Sequence, residues 1–352
     1  MWRQIRPWLD PTQWISPTSL HQQGILGMNK RNVAYVARYN PRDRYPLVDD
    51  KLQTKLVAEK AGVPAPALLT QIRTQHEIEA IEPVLQDYDE FVIKPAQGSG
   101  GKGILVITGR EDNRLIKSSG ARITTTDVKR HLSNILSGLY SLGGKPDVAI
   151  VETLIHVDPV FAELSYEGVP DIRLIVFKGF PVMGMLRLAT HASDGKANLH
   201  QGAVGVGLDI GTGQGIKAVQ YNRPIDHHPD TGAHFTEIQV PHWRRLLTLA
   251  ARCYDVTQLG YLGADLVLDA DHGPMLLELN ARPGLTIQIA NVQGMLPRLR
   301  HLEQIDNRYM SVEQRVDYAI QHFAHELMAS RIKAATAITQ STRQGSDRYN
   351  PV

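Results

Sequence analysis

The chain has 352 residues, of which 42% are hydrophobic and 21% charged, and its formal net charge is +2. These values suit a globular protein with ample core, and the near-neutral charge gives no global electrostatic case for nucleic acid or an acidic membrane surface. The single cysteine, Cys253, excludes an internal disulfide and a cysteine-based zinc site, and no run of about eighteen apolar residues suits a membrane span.

Residues 1–46 read as an irregular segment with one strand candidate, Asn32 to Arg38. The opening MWRQIRPWLDPTQW lacks the apolar stretch of a signal peptide, which points to the cytoplasm. Its tryptophans, Trp2, Trp8 and Trp14, suggest packing onto another surface, either the main domain or a partner. Asp49 to Ala61 reads as a helix, with Asp49 or Asp50 as N-cap, Leu52, Leu56 and Val57 on an apolar face, and Gly62 then Pro64 at its end. Lys51 falls in the first turn, where a cation opposes the helix dipole. It is either a solvated lysine or one that faces an anion.

Phe91 to Thr108 reads as strand, glycine loop, strand. Gly98, Gly100 and Gly103 satisfy G-x-G-x-x-G, but an apolar β-branched run follows them where a dinucleotide fingerprint needs a helix. Lys102 is followed by Gly103, which does not fit a Walker A loop, and neither H-R-D nor D-F-G occurs. The remaining reading is a hairpin over phosphates, with backbone N–H groups and Ser99 donating and Lys94 pointing at the same anion. The alternative is a flexible hairpin with a buried lysine stem.

The segment 112–144 is polar, then helical from about Thr126 to Leu142, ending at Gly143-Gly144. Ala149 to Ile155 is a strand interrupted by Glu152, either an acceptor for adenine or ribose or a structural edge charge. Asp171 to Phe177 and Pro181 to Leu188 form a hairpin in which Arg173 and Arg187 interrupt the apolar alternation. Those guanidinium groups either grip phosphoryl or carboxylate oxygens or make surface salt bridges. Asn198 to Gly215 reads as a ligand-proximal loop with Asn198, His200 and Gln201 at its start; His200 is either an acid–base or a hydrogen-bonding residue. His227, His228, His234 and His242 show no metal-site spacing.

Val240 to Tyr254 is an amphipathic helix leading into GYLGADLVLDADHGPMLLELNARPG, residues 260–284. Two apolar runs, Ala264 to Leu268 and Pro274 to Leu279, flank a polar turn and predict a β-hairpin. Centring the turn between residues 271 and 272 sets Asp265 opposite Glu278, with Asn280 on the same face roughly 7 Å along. These oxygens either hold a hard cation such as Mg²⁺ together with substrate phosphates or face solvent on an edge hairpin. Leu285 to Leu299 reads as a helix broken at Pro297. A last helix runs from Ser311 to about Ala335 on Val312, Val316, Ala319, Ile320, Phe323, Leu327 and Met328, before a polar tail.

In this order, DKLQTKLVAEKAGVPAP (50–66), FVIKPAQGSGGKGI (91–104), VETLI (151–155), DIRLIVFKG (171–179), ANLHQGA (197–203) and GADLVLDADHGPMLLELNARPG (263–284) resemble the ATP-grasp superfamily. Within it they resemble the alpha-L-glutamate-ligase-like proteins related to the ribosomal-protein glutamate ligases. The resemblance implies an α+β fold whose two lobes hold ATP between antiparallel sheets over residues 47–302, with a shortened N-terminal segment (1–46) and a C-terminal helix and tail (303–352). By position it implies Lys51 and Lys94 as phosphate-binding lysines and Gly98, Ser99, Gly100, Gly101 and Gly103 as the phosphate loop. Glu152 falls on the adenine-binding hinge strand. Asp265, Glu278 and Asn280 fall on the Mg²⁺ ligands, with Mn²⁺ as a substitute metal, and Arg173, Arg187 and Asn198 lie at the catalytic, acyl-phosphate end.

The implied activity is ATP-dependent joining of a carboxylate to an amine through an acyl phosphate, adding an amino acid such as glutamate to a peptide or small acid. Such chemistry gathers anions, so it needs Mg²⁺, lysine and arginine rather than a protein nucleophile. The rival readings are an ATP-grasp small-molecule kinase and a non-catalytic nucleotide-binding regulatory module. The short segment before Asp50 and the long 112–148 stretch depart from the family's pattern. They leave room for substrate delivery by a partner protein or homo-oligomer, with the tryptophan-rich start as docking surface; neither nucleic acid nor membrane insertion is expected.

Overall fold

The computed structural model describes residues 15–324, apart from 99, 142 and 162. Trp2, Trp8, Trp14, Ser99, Leu327 and Met328, and with them the tryptophan docking surface and the tail, lie outside the described residues. Among those described, no helix is long and apolar enough to cross a membrane.

Alternating apolar runs separated by glycine and Asp/Asn turns build two antiparallel sheets. The first contains β1 (Leu68–Ile72), β2 (Phe91–Pro95), β3 (Leu105–Glu111), β4 (Arg114–Lys117), β5 (Arg122–Ile123) and β6 (Ala149–Glu152), in the spatial order β1-β6-β2-β3-β4-β5. Its inner face buries Phe91, Ile93 and Ile107 against Val128, Leu132 and Ile135 of the helix Thr125–Leu136. A Thr124–Asp127 capping box starts that helix. It stops at Leu136, not near Leu142, because the chain turns at Gly138 with φ +83°, where a Cβ would sit 2.3 Å from the Lys145 carbonyl oxygen.

The second sheet contains β7 (Asp171–Phe177), β8 (Phe180–Leu188), β9 (Val204–Leu208), β10 (Gly215–Gln220), β11 (Arg223–Ile225), β12 (Tyr261–Asp269) and β13 (Gly273–Asn280). Its order is β11-β10-β9-β8-β7-β12-β13. The helix Trp243–Thr257 buries Leu246, Leu247, Ala250 and Cys253 in this lobe's core, joined by Val316, Ala319 and Phe323 of the helix Val312–Phe323.

Two further expectations fail. The strand candidate at Asn32 to Arg38 is helical: Met28–Lys30, a π-helical turn Arg31–Val36 and Ala37–Tyr39 run on continuously. Arg31, Tyr35 and Val36 turn inward while Val33 stays exposed, which is helical spacing rather than alternation. Tertiary packing overrides β propensity, since Tyr35 and Tyr39 meet Phe177 edge-on at 5.6 and 4.8 Å. Pro297 likewise does not break a helix. The break falls where Val292 takes φ +51°, and Pro297 starts the second helix, Leu296–Glu303, in a first turn that does not use its missing N–H.

The N-terminal helix also steadies the residues at both ends of the β12–β13 hairpin. Arg31 Nη1 donates to the Pro283 carbonyl at 2.7 Å, and Asn40 Nδ2 donates to the Tyr261 carbonyl at 2.7 Å.

Candidate active site

The hairpin β12–β13 sets Asp265 opposite Glu278 and Gly263 opposite Asn280. The turn closes Asp269 on Gly273 and is centred on residue 271, and the register shifts between Asp265 and Leu266, leaving Leu277 as an extra residue. A regular ladder from that turn would set Leu277 opposite Asp265 and send Glu278 to the other face. The bulge returns Glu278 to the side of Asp265.

On the other flank of β12, Arg173 in β7 stands opposite Asp265, and Arg187 in β8 stands opposite Asp171. Asp265 Oδ1 accepts from Arg173 Nε at 2.7 Å. Its Oδ2 accepts from Arg173 Nη2 at 2.5 Å, Arg187 Nη2 at 2.7 Å and Asn280 Nδ2 at 3.3 Å. Burial pushes the Asp265 carboxyl up, but the two guanidinium groups outweigh burial and hold it at about 2. Arg187 also donates from Nε to Asp171. Complete burial, with the Asp265 charge adding to it, pushes Asp171 up to about 6 despite that bond.

Asp50 caps the helix Lys51–Lys60, its Oδ1 accepting from the N–H groups of Leu52 and Gln53. Such a cap is worth about 1 kcal/mol and fixes the direction in which Lys51 leaves the helix. Lys51 Nζ donates to the Gly98 carbonyl at 2.7 Å and lies 3.8 Å from Glu278 Oε1. The anion that Lys51 faces is therefore Glu278, and one side chain ties the glycine loop to the hairpin. Two carboxylates and a carboxamide on one sheet face, with only Arg173 Nε on Asp265 Oδ1 among the described residues, fit the oxygen donor set that Mg²⁺ prefers.

The glycine loop rests on the 125–148 segment. Gly98 bridges Ser141, whose Oγ donates to Asp147 Oδ2 at 2.5 Å, and the same carboxylate accepts from the Gln97 N–H at 3.0 Å. His131 Nε2 lies 3.0 Å from the Gly103 carbonyl, and burial lowers the ring's pKa, which favours a neutral ring donating there. Gly103 has φ +76°, and a Cβ on it would sit 2.5 Å from the Tyr140 ring. Gly103→Ala is therefore expected to distort the loop and to cost about 1 kcal/mol or more of stability. A urea denaturation curve checks this, and an unchanged midpoint would contradict it. On its other side the glycine loop meets a loop of the second sheet's lobe: a Cβ on Gly101 would lie 3.9 Å from Lys196 Cδ. Asn198, in that facing loop, caps the turn Leu199–Gln201 by accepting from the His200 N–H at 3.0 Å. No hydrogen bond joins it to Asp265 among the described residues, and His200 is exposed.

Lys94 pairs with Glu152 Oε1, and Lys55 Nζ sits 2.7 Å from Glu152 Oε2 while also donating to the Pro66 carbonyl. All three side chains are buried. Glu152 is no edge charge, because β6 runs between β1 and β2. The two ammonium groups outweigh the burial that would raise the Glu152 pKa, so it falls below the ordinary value. Lys55 is the residue the sequence reading lacks. The predicted apolar face of this helix placed Leu56 inside, but Leu56 is exposed and Lys55 takes the inward position. The signal lay in the spacing: Lys51 and Lys55 are i and i+4, so a helix that points one at the site points the other the same way.

The model of sugar-transfer associated ATP-grasp proteins matches residues 30–304. No curated protein gives a significant match. Among solved structures, the ATP-grasp ligase PsnB complexed with a phosphomimetic variant of its minimal precursor, Mg and ADP is similar at 14% identity and TM-score 0.40, over 74% of this chain and 59% of that one. The D-alanyl-alanine synthetase A from Vibrio cholerae is similar at 10% identity and TM-score 0.43, over 80% of this chain and 66% of that one. The D-alanine-D-alanine ligase from Coxiella burnetii is similar at 12% identity and TM-score 0.40, over 84% of this chain and 63% of that one. The chain thus spans less than two thirds of the length of each.

Proposed function

The chain belongs to the sugar-transfer associated ATP-grasp family, and from that premise we propose that it is an ATP- and Mg²⁺-dependent carboxylate–amine ligase acting through an acyl phosphate. The observation that carries this reading is the continuous chain of contacts from Gly98 through Lys51 to Glu278, whose cross-strand neighbour Asp265 is held by Arg173 and Arg187. A glycine loop, a lysine, two carboxylates and two guanidinium groups converge at one end of the cleft, as phosphoryl transfer between anions requires.

In this reading the backbone N–H groups of the glycine loop, Lys51 and Lys94 bind the phosphates. Asp265, Glu278 and Asn280 would hold Mg²⁺, which would supply positive charge against the phosphate oxygens. Arg173 and Arg187 stabilise the acid substrate as its carboxylate oxygen attacks the γ-phosphorus and ADP departs. The amine then attacks the acyl carbon and phosphate leaves, while the glycine loop and the Asn198 loop exclude water. Glu152 lies on the strand leading to the adenine end. The finer reading is addition of an amino acid such as glutamate to a peptide or small acid. The family's description, sugar-transfer associated, is why acidic and amino sugars are included among the candidates to be tried.

The test is ADP release by purified protein with ATP, Mg²⁺ and pools of amino acids, peptides and acidic or amino sugars, with mass spectrometry of the products. Turnover that needs both an acid and an amine, giving a product of their summed mass less water, supports the ligase. A stable phosphorylated product without an amine requirement would replace it with a kinase.

A further inference from the structure

We propose that Lys55 is a positioning residue of the nucleotide site: it holds Glu152 so that Lys94 can leave that carboxylate for a nucleotide phosphate. This rests on the nucleotide reading above and adds a role which that reading does not use.

Two ammonium groups share one buried carboxylate, so the cluster Lys55–Glu152–Lys94 carries a net positive charge away from water. A buried excess charge is costly until a counter-ion arrives. The lysines approach different oxygens of Glu152, so Lys94 can leave Oε1 while Lys55 stays beside Oε2.

Their surroundings differ in direction. Lys55 has a second anchor, the Pro66 carbonyl on the segment entering β1, which ties it in place. Lys94 lies at the end of β2, where the next residues lead into the glycine loop, and Ala96 there accepts from the Lys51 N–H at 2.9 Å. Lys94 is thus the lysine within reach of a phosphate under the loop, and Lys55 is the one that stays. With Lys55 gone, Glu152 and Lys94 would form a neutral buried pair, and a phosphate would have to break it while leaving a bare carboxylate behind.

Calorimetric titration of the full chain with MgATP and MgADP tests this. Lys55→Met is expected to weaken both ligands by about ten-fold or more, while the unfolding midpoint without nucleotide stays close to wild type. Adding Glu152→Gln to Lys55→Met removes the carboxylate that captures Lys94 and is expected to recover most of the lost affinity. A purely structural lysine gives the reverse pattern, a lowered midpoint and a double variant that binds no better than the single. Wild-type affinity in Lys55→Met, or no recovery in the double variant, overturns the proposal. Should Lys55→Met not fold, Lys55→Gln keeps a donor for Glu152 and Pro66 and removes only the charge; the same loss is expected, and wild-type binding overturns the proposal equally. Lys94→Ala separates the two readings. Unchanged affinity there overturns the nucleotide assignment, and the role of Lys55 with it, whereas weakened affinity with a normal Lys55→Met overturns the role of Lys55 alone.

Discussion

Asp265→Ala is expected to lose both stability and turnover, whereas Glu278→Gln is expected to lose turnover alone. Asp265 is 2% exposed and receives four hydrogen bonds, three of them from the guanidinium groups of Arg173 and Arg187. Removing it leaves the Arg173 and Arg187 charges on one sheet face with Asp171, the partner of Arg187, as the carboxylate they keep among the described residues, and breaking a buried pair in this way costs roughly 3–5 kcal/mol. Glu278 is different. Its side chain is 38% exposed and its ion pair with Lys51 spans 3.8 Å, so its contribution to stability is about 0–1 kcal/mol. Its carboxylate nonetheless belongs to the residue opposite Asp265 in the hairpin, and loss of its charge is expected to lower turnover by about 10²-fold or more. Urea denaturation midpoints for both variants, together with ADP release and MgATP affinity, check the contrast. Equal stability losses, or near-wild-type turnover in Glu278→Gln, would remove Glu278 from the chemistry.

That contrast was half legible in the sequence. Asp265, Glu278 and Asn280 stand out because charged or polar residues interrupt apolar strands, and Arg173 and Arg187 stand out for the same reason. A turn centred between residues 271 and 272 sets Asp265 opposite Glu278, so the pairing could be foreseen, although from a turn centre half a residue away from the observed one. The bulge at Leu277 that makes this pairing compatible with a turn centred on residue 271 could not, because a bulge has no side-chain signature here. Helices were harder to read. In the segment Met28 to Tyr39 a β-branched and aromatic run suggested a strand, and the contacts that fit its helical form, such as those with Phe177 and Tyr261, lie far along the chain. In the helix Lys51–Lys60, hydrophobicity placed Leu56 inside, but the buried partner of Lys55 is Glu152, nearly a hundred positions away. A local pattern rule failed where a polar cluster had been built, which is where such failures are expected.

Glu152→Gln carries the second large effect, and its pH dependence identifies the cause. The substitution keeps the shape of the side chain but leaves Lys55 and Lys94 as two buried ammonium groups beside a neutral amide, at a cost of roughly 3–5 kcal/mol at neutral pH. In the wild type, the lysines hold the Glu152 carboxyl below its ordinary pKa even though burial opposes this. A depressed folded pKa gives stability that is fully present above the unfolded value of about 4.3 and is lost as pH falls through the folded value. Glu152→Gln has no such term, so the stability gap between the two proteins is expected to narrow below about pH 4. At the alkaline end the sign reverses. Burial, with Lys94 nearby, lowers the Lys55 pKa in the folded protein. The unfolded chain then binds more protons between the folded value and about 10.4, and stability rises with pH across that window. Removing the Glu152 charge deepens this depression, so the variant is expected to gain more stability than the wild type as pH rises toward about 10. Urea midpoints measured from acid to alkaline pH would give converging curves at both ends and the widest gap near neutrality. Parallel curves would mean that the lost stability comes from packing around the introduced carboxamide and not from the two lysine charges.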